Sequence, residues 1–235
     1  MTILEKVPAV ILAGGRGTRL RPFTVTFPKP LVPLGDRPIL DRLLMQLADA
    51  GVARVVLSLG HLSSLIRAYV SQQEHLCSRL NIEFIEEDRP LGTAGAVGML
   101  EFDSSFFVMN GDLLTDVDFA DLYRSHRESG AILTVARTVR RERIDFGVLD
   151  LDENGWLRGY REKPEYTYSV SMGVYLYEPQ VLGYIERGER LDFPDLVLRL
   201  LADGKAVATY VHPGLWLDIG RPDDYARAQE LVAAE

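Results

Sequence analysis

A single cysteine, Cys77, stands among the 235 residues. That excludes an intrachain disulfide and suits a reducing compartment. The N-terminus, Met1-Thr2-Ile3-Leu4-Glu5-Lys6-Val7-Pro8, carries no signal-peptide pattern, and no apolar run approaches a membrane span. The cytoplasm is the expected location, with no membrane partner. Positive charge is also in short supply: 26 Lys and Arg against 34 Asp and Glu give a formal charge of −8, which argues against a nucleic-acid surface. No repeat, low-complexity tract or linker divides the chain. The P-loop pattern G-x-x-x-x-G-K-[ST] is missing. Gly15-Arg16-Gly17 begins like a dinucleotide loop, but Leu20 stands where the third glycine is required. The next apolar stretch, Ala53 to Leu59, ends without the acid that would hold a ribose. A Rossmann oxidoreductase is therefore disfavoured. His61, His75, His126 and His212 lack metal-ligand spacing.

What the chain does have is concentrated near its start. Val7-Pro8-Ala9-Val10-Ile11-Leu12-Ala13 reads as a strand buried on both faces, and it runs into Gly14-Gly15-Arg16-Gly17-Thr18-Arg19-Leu20. Glycines there open backbone conformations closed to other residues and expose N–H groups above the strand end. Arg16, Arg19, Arg21 and Lys29 put four cations within fourteen residues, and Pro28 and Pro30 fix the backbone on either side of Lys29. This combination suits a polyphosphate. Hydrophobic residues make up 47% of the chain, ample for one large α/β core.

Alternating signals follow. Pro38 to Ala50 has helical spacing and stops at Gly51; strand Ala53–Leu59, a helix from Ser63 to Gln73 and a strand around Ile82–Ile85 come next. Pro90-Leu91-Gly92-Thr93-Ala94-Gly95-Ala96-Val97-Gly98 leads into another expected helix. Phe106 to Met109 is a short buried strand ending at Asn110-Gly111-Asp112, followed by a helix near Phe119–Ser129 and strand Ala131–Ala136. The alternation predicts a mostly parallel sheet with ligands at the carboxyl ends of its strands. Beyond Thr138 the spacing predicts strands at Phe146–Leu151 and Val170–Tyr177 with a turn and a polar stretch between them. It then predicts helices near Pro179–Glu186 and Phe193–Ala202, a strand near Val207–Val211 and a helix from Pro222. The second half is expected to share one sheet with the first.

Leu12 through Pro22, with Pro28-Lys29-Pro30-Leu31-Val32-Pro33, closely resembles the signature of the sugar-1-phosphate nucleotidyltransferases. Within them it looks most like the mannose-1-phosphate and heptose-1-phosphate guanylyltransferase branches. Further matches recur almost to the C-terminus. The resemblance implies a Rossmann-like three-layer α/β sandwich with a mostly parallel mixed sheet. It implies one domain over residues 1–235, with a nucleotide-binding half (1–138) and a sugar-phosphate half (139–235). No appended β-helix is expected. A homodimer would be unsurprising in such a family.

Asp112 and Asp218 each follow an apolar stretch, and two such carboxylates suit Mg²⁺, which needs few protein oxygens. The family's G-D and W-x-D-x-G motifs, both matched here, supply metal-binding aspartates. The resemblance implies that Lys163 in Glu162-Lys163-Pro164 binds the sugar phosphate, that Glu162 accepts hydrogen bonds from sugar hydroxyls, and that the sugar approaches the backbone at Gly147. It implies nucleotide contacts at Leu12, Ala13, Gly14, Gly15, Gly17, Thr18, Arg19, Lys29, Glu87, Gly92 and Thr93. Arg19 would hold the leaving pyrophosphate and Lys29 the α-phosphate. Glu87 favours GTP, because a carboxylate can accept two hydrogen bonds from the guanine N1–H and N2–H₂ edge, whereas uracil or thymine offers one ring N–H. Ser171-Met172-Gly173 stands where relatives often carry Asn-Ala-Gly, a departure that puts glucose or mannose in doubt and makes a heptose a fair hypothesis. A UTP- or dTTP-using enzyme and a non-catalytic nucleotide-sugar sensor are the alternatives.

Overall fold

The apolar run before the glycines forms β1 (Ala9–Leu12), whose first three residues are fully buried. The computed structural model describes residues 2–15, 17 and 23–233. Beyond the glycine loop come β2 (Pro33–Leu34), β3 (Arg37–Pro38), α1 (Ile39–Ala50), β4 (Arg54–Leu59), α2 (Ser63–Ser71), α3 (Glu74–Cys77) and β5 (Asn81–Glu86). Helix α1 buries Ile39, Leu40, Leu43, Leu44 and Leu47, and it ends where Gly51 takes φ 94°, a left-handed conformation that suits glycine. The chain continues through α4 (Gly92–Gly95), β6 (Phe106–Asn110), β7 (Leu113–Thr115) and α5 (Phe119–Ser129). Asp118 caps α5 by accepting the Asp121 N–H at 2.9 Å. Then come β8 (Leu133–Arg143), β9 (Val148–Leu151), β10 (Leu157–Arg161), β11 (Glu165–Tyr177), α6 (Phe193–Ala202), β12 (Val207–Val211), β13 (Trp216–Asp218) and α7 (Pro222–Ala233).

Seven strands make the central sheet in the order β12-β8-β11-β6-β1-β4-β5. Its pairings are parallel except where β11 runs antiparallel to β6 and β8. One apolar cluster packs α1 and α5 against one face through Leu44, Phe107, Phe119 and Leu122. A second packs α6 on the other face through Val108, Tyr177, Leu196 and Leu200. The expected three-layer α/β architecture is present, and strands of both halves share one sheet. Among the described residues no helix is long and apolar enough to cross a membrane.

Three local expectations need correction. The Gly92 segment does not lead into a long helix; it is itself a one-turn helix, followed by a 3-10 turn at Val97–Met99. The helical stretch expected near Pro179–Glu186 is present as a 3-10 helix over Pro179–Tyr184. The polar stretch after Asp152 contains β10, which pairs with β9 as a separate ribbon. Strands β8 and β11 also run well past the sheet, pairing from Tyr177↔Leu133 out to Glu165↔Arg143, with an irregularity between Ser171 and Tyr175. Most of the residues in that projecting arm are at least partly exposed, so they carry little of the hydrophobic alternation that marks a half-buried strand.

At the far end of the sheet from the glycines, His126 is buried between Thr134 (Nδ1 to Oγ1, 2.7 Å) and Glu178 (Nε2 to Oε1, 3.2 Å). Burial pulls its pKa below the ordinary 6.5, against the opposing pull of Glu178. The folded state thus resists a proton that the unfolded chain accepts. The stability this site contributes is present above about pH 6.5 and is lost as pH falls below it. His126→Gln should flatten the fall in urea midpoint between pH 7.5 and 5.5; an unchanged slope would remove His126 from the account.

Candidate functional site

The carboxyl ends of β1, β4 and β6 meet at the glycine loop, and the backbone there is stitched to its neighbours. Ala13 N–H donates to Ser58 O (2.8 Å), Gly111 N–H to Leu12 O (2.9 Å) and His61 N–H to Gly14 O (3.2 Å). The Leu12 carbonyl and the Ala13 amide, on two residues expected to contact the nucleotide, thus each have a protein partner. Gly14 is glycine for a packing reason: a Cβ there would lie 3.0 Å from Glu87 Oε1 and 3.2 Å from the Gly60 nitrogen.

A cavity of about 620 Å³ opens above this loop. Leu12, Ala13, Gly14, Gly15 and Gly17 line one side, Glu87, Gly92 and Thr93 another, and Lys29 and Asp112 a third. Thr18 and Arg19 lie outside the described residues. Sequence reasoning passed over His61, Arg89 and Asn110, which also line it. Asn110 carried a signal, since it ends a buried strand immediately before Gly111-Asp112. Arg89 bonds Gly188 O at 3.1 Å, a contact no local pattern could reveal.

Glu87 is held before any ligand arrives. Its Oε1 accepts from the Ser58 hydroxyl (3.2 Å) and its Oε2 from Leu91 N–H (2.8 Å). A carboxylate has about four acceptor positions, so two remain. Gly92 has φ 80°, and a Cβ there would lie 2.6 Å from Leu191 O, so the α6 approach accounts for this glycine. The Thr93 hydroxyl accepts the Phe193 N–H at 2.8 Å, and Asp192 Oδ1 accepts the Thr93 N–H at 3.2 Å. These reciprocal bonds tie the cavity wall to the start of α6.

Asp112 and Asp218, 106 positions apart in the numbering, are brought together by a small ribbon. Strand β13 pairs antiparallel with β7 in the register Asp218↔Leu113, and Ile219 N–H donates to Asp112 O at 3.1 Å. At the other end of the ribbon His212 Nε2 lies 2.7 Å from Asp116 Oδ1, and Asp116 N–H donates to Leu215 O at 3.2 Å. The Lys29 ammonium pairs with Asp112 Oδ2 and lies 3.6 Å from Asp218 Oδ1. Lys29 belongs to the 3-10 turn Lys29–Leu31, entered from Pro28, and is only 8% exposed, so those partners offset the cost of its burial. A Cβ at Gly220 would collide with that ammonium.

Two converging carboxylates with a cation between them form a hard-oxygen donor set. Among the described residues no group of three or more His, Cys, Asp or Glu side chains could cage a metal. Two carboxylates are the donor type suited to a divalent cation that takes most of its ligands from water and phosphate; the Lys29 ammonium lies against the same oxygens.

Gly147, Glu162, Lys163 and Ser171 do not line the cavity. Gly147, Glu162 and Lys163 flank the β9–β10 ribbon; Ser171 sits at the irregularity in β11, its hydroxyl 3.3 Å from both the Tyr175 hydroxyl and Gly173 N. Burial raises the pKa of Tyr175, which keeps that phenol protonated. The irregularity touches both sides of the site: Gly173 abuts Asn110, and Trp216 Nε1 donates to Met172 O at 2.8 Å. Lys163 has φ 43°, rare for a residue other than glycine and more so before proline.

The family described as Nucleotidyl transferase matches residues 8–235. The mannose-1-phosphate guanylyltransferase of Mycobacterium tuberculosis is 36% identical, over 95% of this chain and 64% of its own length. The UTP--glucose-1-phosphate uridylyltransferase of Synechocystis sp. is 33% identical, over 94% of this chain and 62% of its own. The chain thus spans somewhat under two thirds of these curated relatives. The crystal structure of HddC from Yersinia pseudotuberculosis complexed with GMP-PN is 29% identical with a TM-score of 0.74, covering 96% of this chain and 99% of that one.

The β11 irregularity offers a direct stability test. Gly173 has φ 72°, and a Cβ there would lie 2.5 Å from Asn110 Nδ2. Gly173→Ala should therefore cost about 1–3 kcal/mol in urea unfolding; a wild-type midpoint would contradict this packing.

Proposed function

The chain belongs to the nucleotidyl transferase family, and from that premise we propose that it joins a nucleoside triphosphate to a sugar-1-phosphate, giving an NDP-sugar and pyrophosphate. The observation that carries this reading is the convergence of Asp112, Asp218 and Lys29 beside a cavity walled by the glycine loop. An oxygen of the sugar phosphate attacks the α-phosphorus as the bond to the β-phosphate oxygen breaks, and pyrophosphate leaves in line. The attacking phosphate is already anionic, so no general base is needed. Alignment and charge stabilisation do the catalysis.

Lys29 stabilises the α-phosphate. Arg19, on sequence pattern alone, holds the leaving pyrophosphate. Lys163 fixes the incoming phosphate; its ammonium has no hydrogen-bond or ion-pair partner among the described residues. Glu162, Gly147 and Ser171 serve the sugar. Asp112 and Asp218 hold Mg²⁺, which when bound neutralises charge on the phosphate oxygens. The presence of Lys29, Asp112, Lys163 and Asp218 together favours an enzyme over a nucleotide-sugar sensor. A cytoplasmic location draws support from the lone free Cys77; a homodimer rests on resemblance alone.

GTP is the favoured nucleotide. Glu87 keeps acceptor capacity for the guanine edge while Ser58 and Leu91 fix its orientation. HddC, crystallised with GMP-PN, and the M. tuberculosis relative, named a guanylyltransferase, support the same base. The Synechocystis relative, named for UTP, supports the second reading, a uridylyltransferase. Ser171 in place of asparagine favours a heptose over glucose or mannose.

Pyrophosphate release with Mg²⁺, crossing five NTPs with hexose- and heptose-1-phosphates, tests the proposal. One matched pair should react and stop on adding EDTA; nucleotide binding with no release from any pair would favour the sensor. Lys29→Ala and Asp112→Ala should each lower turnover by about 10²–10³-fold in folded protein. Near-normal turnover in either variant would remove that residue from the mechanism.

A further inference from the structure

Gly147 precedes β9, and the space a side chain would take there is already filled. A Cβ at this position would run into the hydroxyl and Cζ of Tyr160 and lie 3.0 Å from its Cε2. Tyr160 stands on β10 opposite Leu149 and is 61% exposed, so core packing does not explain the glycine that accommodates it. Its hydroxyl donates to Glu162 Oε2 at 3.0 Å, and the two side chains, separated by two positions, leave the ribbon on one face. Arg161 between them points the other way, bonded to Asp150 at 2.8 Å and 5.4 Å from the Tyr166 ring centroid. Among the described residues, Glu162 has no other hydrogen-bond or ion-pair partner for its carboxylate.

We propose that Tyr160 is a positioning residue that orients Glu162 toward the hydroxyls of the sugar-1-phosphate, and that Gly147 is glycine because it seats the Tyr160 ring. The unit rests on the nucleotidyl-transfer reading, in which Glu162 faces the sugar. Tyr160 occupies Oε2 and so leaves Oε1 as the oxygen presented to a donor. Nothing in the unit touches the nucleotide cavity, so its effect falls on recognition of one substrate alone.

Steady-state kinetics of the full chain, varying each substrate in turn, test this. Tyr160→Phe keeps the ring and removes only the hydroxyl; it should raise KM for the sugar-1-phosphate about five-fold and leave KM for the NTP unchanged. Gly147→Ala should raise the same KM at least as much in the wild-type background, and much less when combined with Tyr160→Ala, because no ring then remains to displace. Glu162→Gln separates the two levels. If it leaves the sugar-1-phosphate KM unchanged, the assignment of Glu162, and the unit with it, falls. If it raises that KM while Tyr160→Phe does not, Glu162 stands and the positioning role is overturned. Additive effects of Gly147→Ala and Tyr160→Ala would overturn the seating role.

Discussion

One buried cation joined to two carboxylates organises this molecule. Leaving a side-chain ammonium at 8% exposure without counter-charges is costly, and the partners of Lys29 come from opposite halves of the chain, Asp112 after β6 and Asp218 at the end of β13. Meeting that requirement demands the β7–β13 ribbon, which sets the carboxylates side by side. It also demands Gly220, where any side chain would strike the ammonium. Pro28 contributes by fixing the approach of the lysine, whose backbone lies within a short turn rather than a free loop.

The same economy governs the cavity walls. Several glycines that look reserved for a ligand are fixed by protein neighbours: Gly14 by Glu87 and Gly60, Gly92 by Leu191, Gly147 by Tyr160. Their closeness orders the groups that then face solvent. Glu87 is oriented by a strand serine and a loop amide, and α6 is tied to the wall through Thr93. Such preorganisation lowers what a ligand must spend on ordering its site.

Much of this was legible in the residues. The apolar run into glycines located β1, Gly51 marked the end of α1, and residues 119–129 and 207–211 fall where spacing put them. Lys29 and both aspartates were legible as chemistry, but their meeting was not, because a three-residue ribbon is too short to show a period. The β8–β11 arm was hidden for a related reason. Arg140, Arg141, Glu142 and Arg143 are strand residues that pair along β11 with polar and aromatic side chains, and four charged residues in a row show no alternation. The motif alone makes Gly147 a place for the sugar, and only the pairing of β9 with β10 brings Tyr160 against it.

The central claim is that Lys29 and Asp112 act as one unit. The direct measurement is a double-mutant cycle, Lys29→Met with Asp112→Asn, on pyrophosphate release by the matched substrate pair. The account predicts that the double variant is little slower than the worse single one, because either change already breaks the cluster. Fully multiplicative losses would mean that the two residues act independently, and would contradict it.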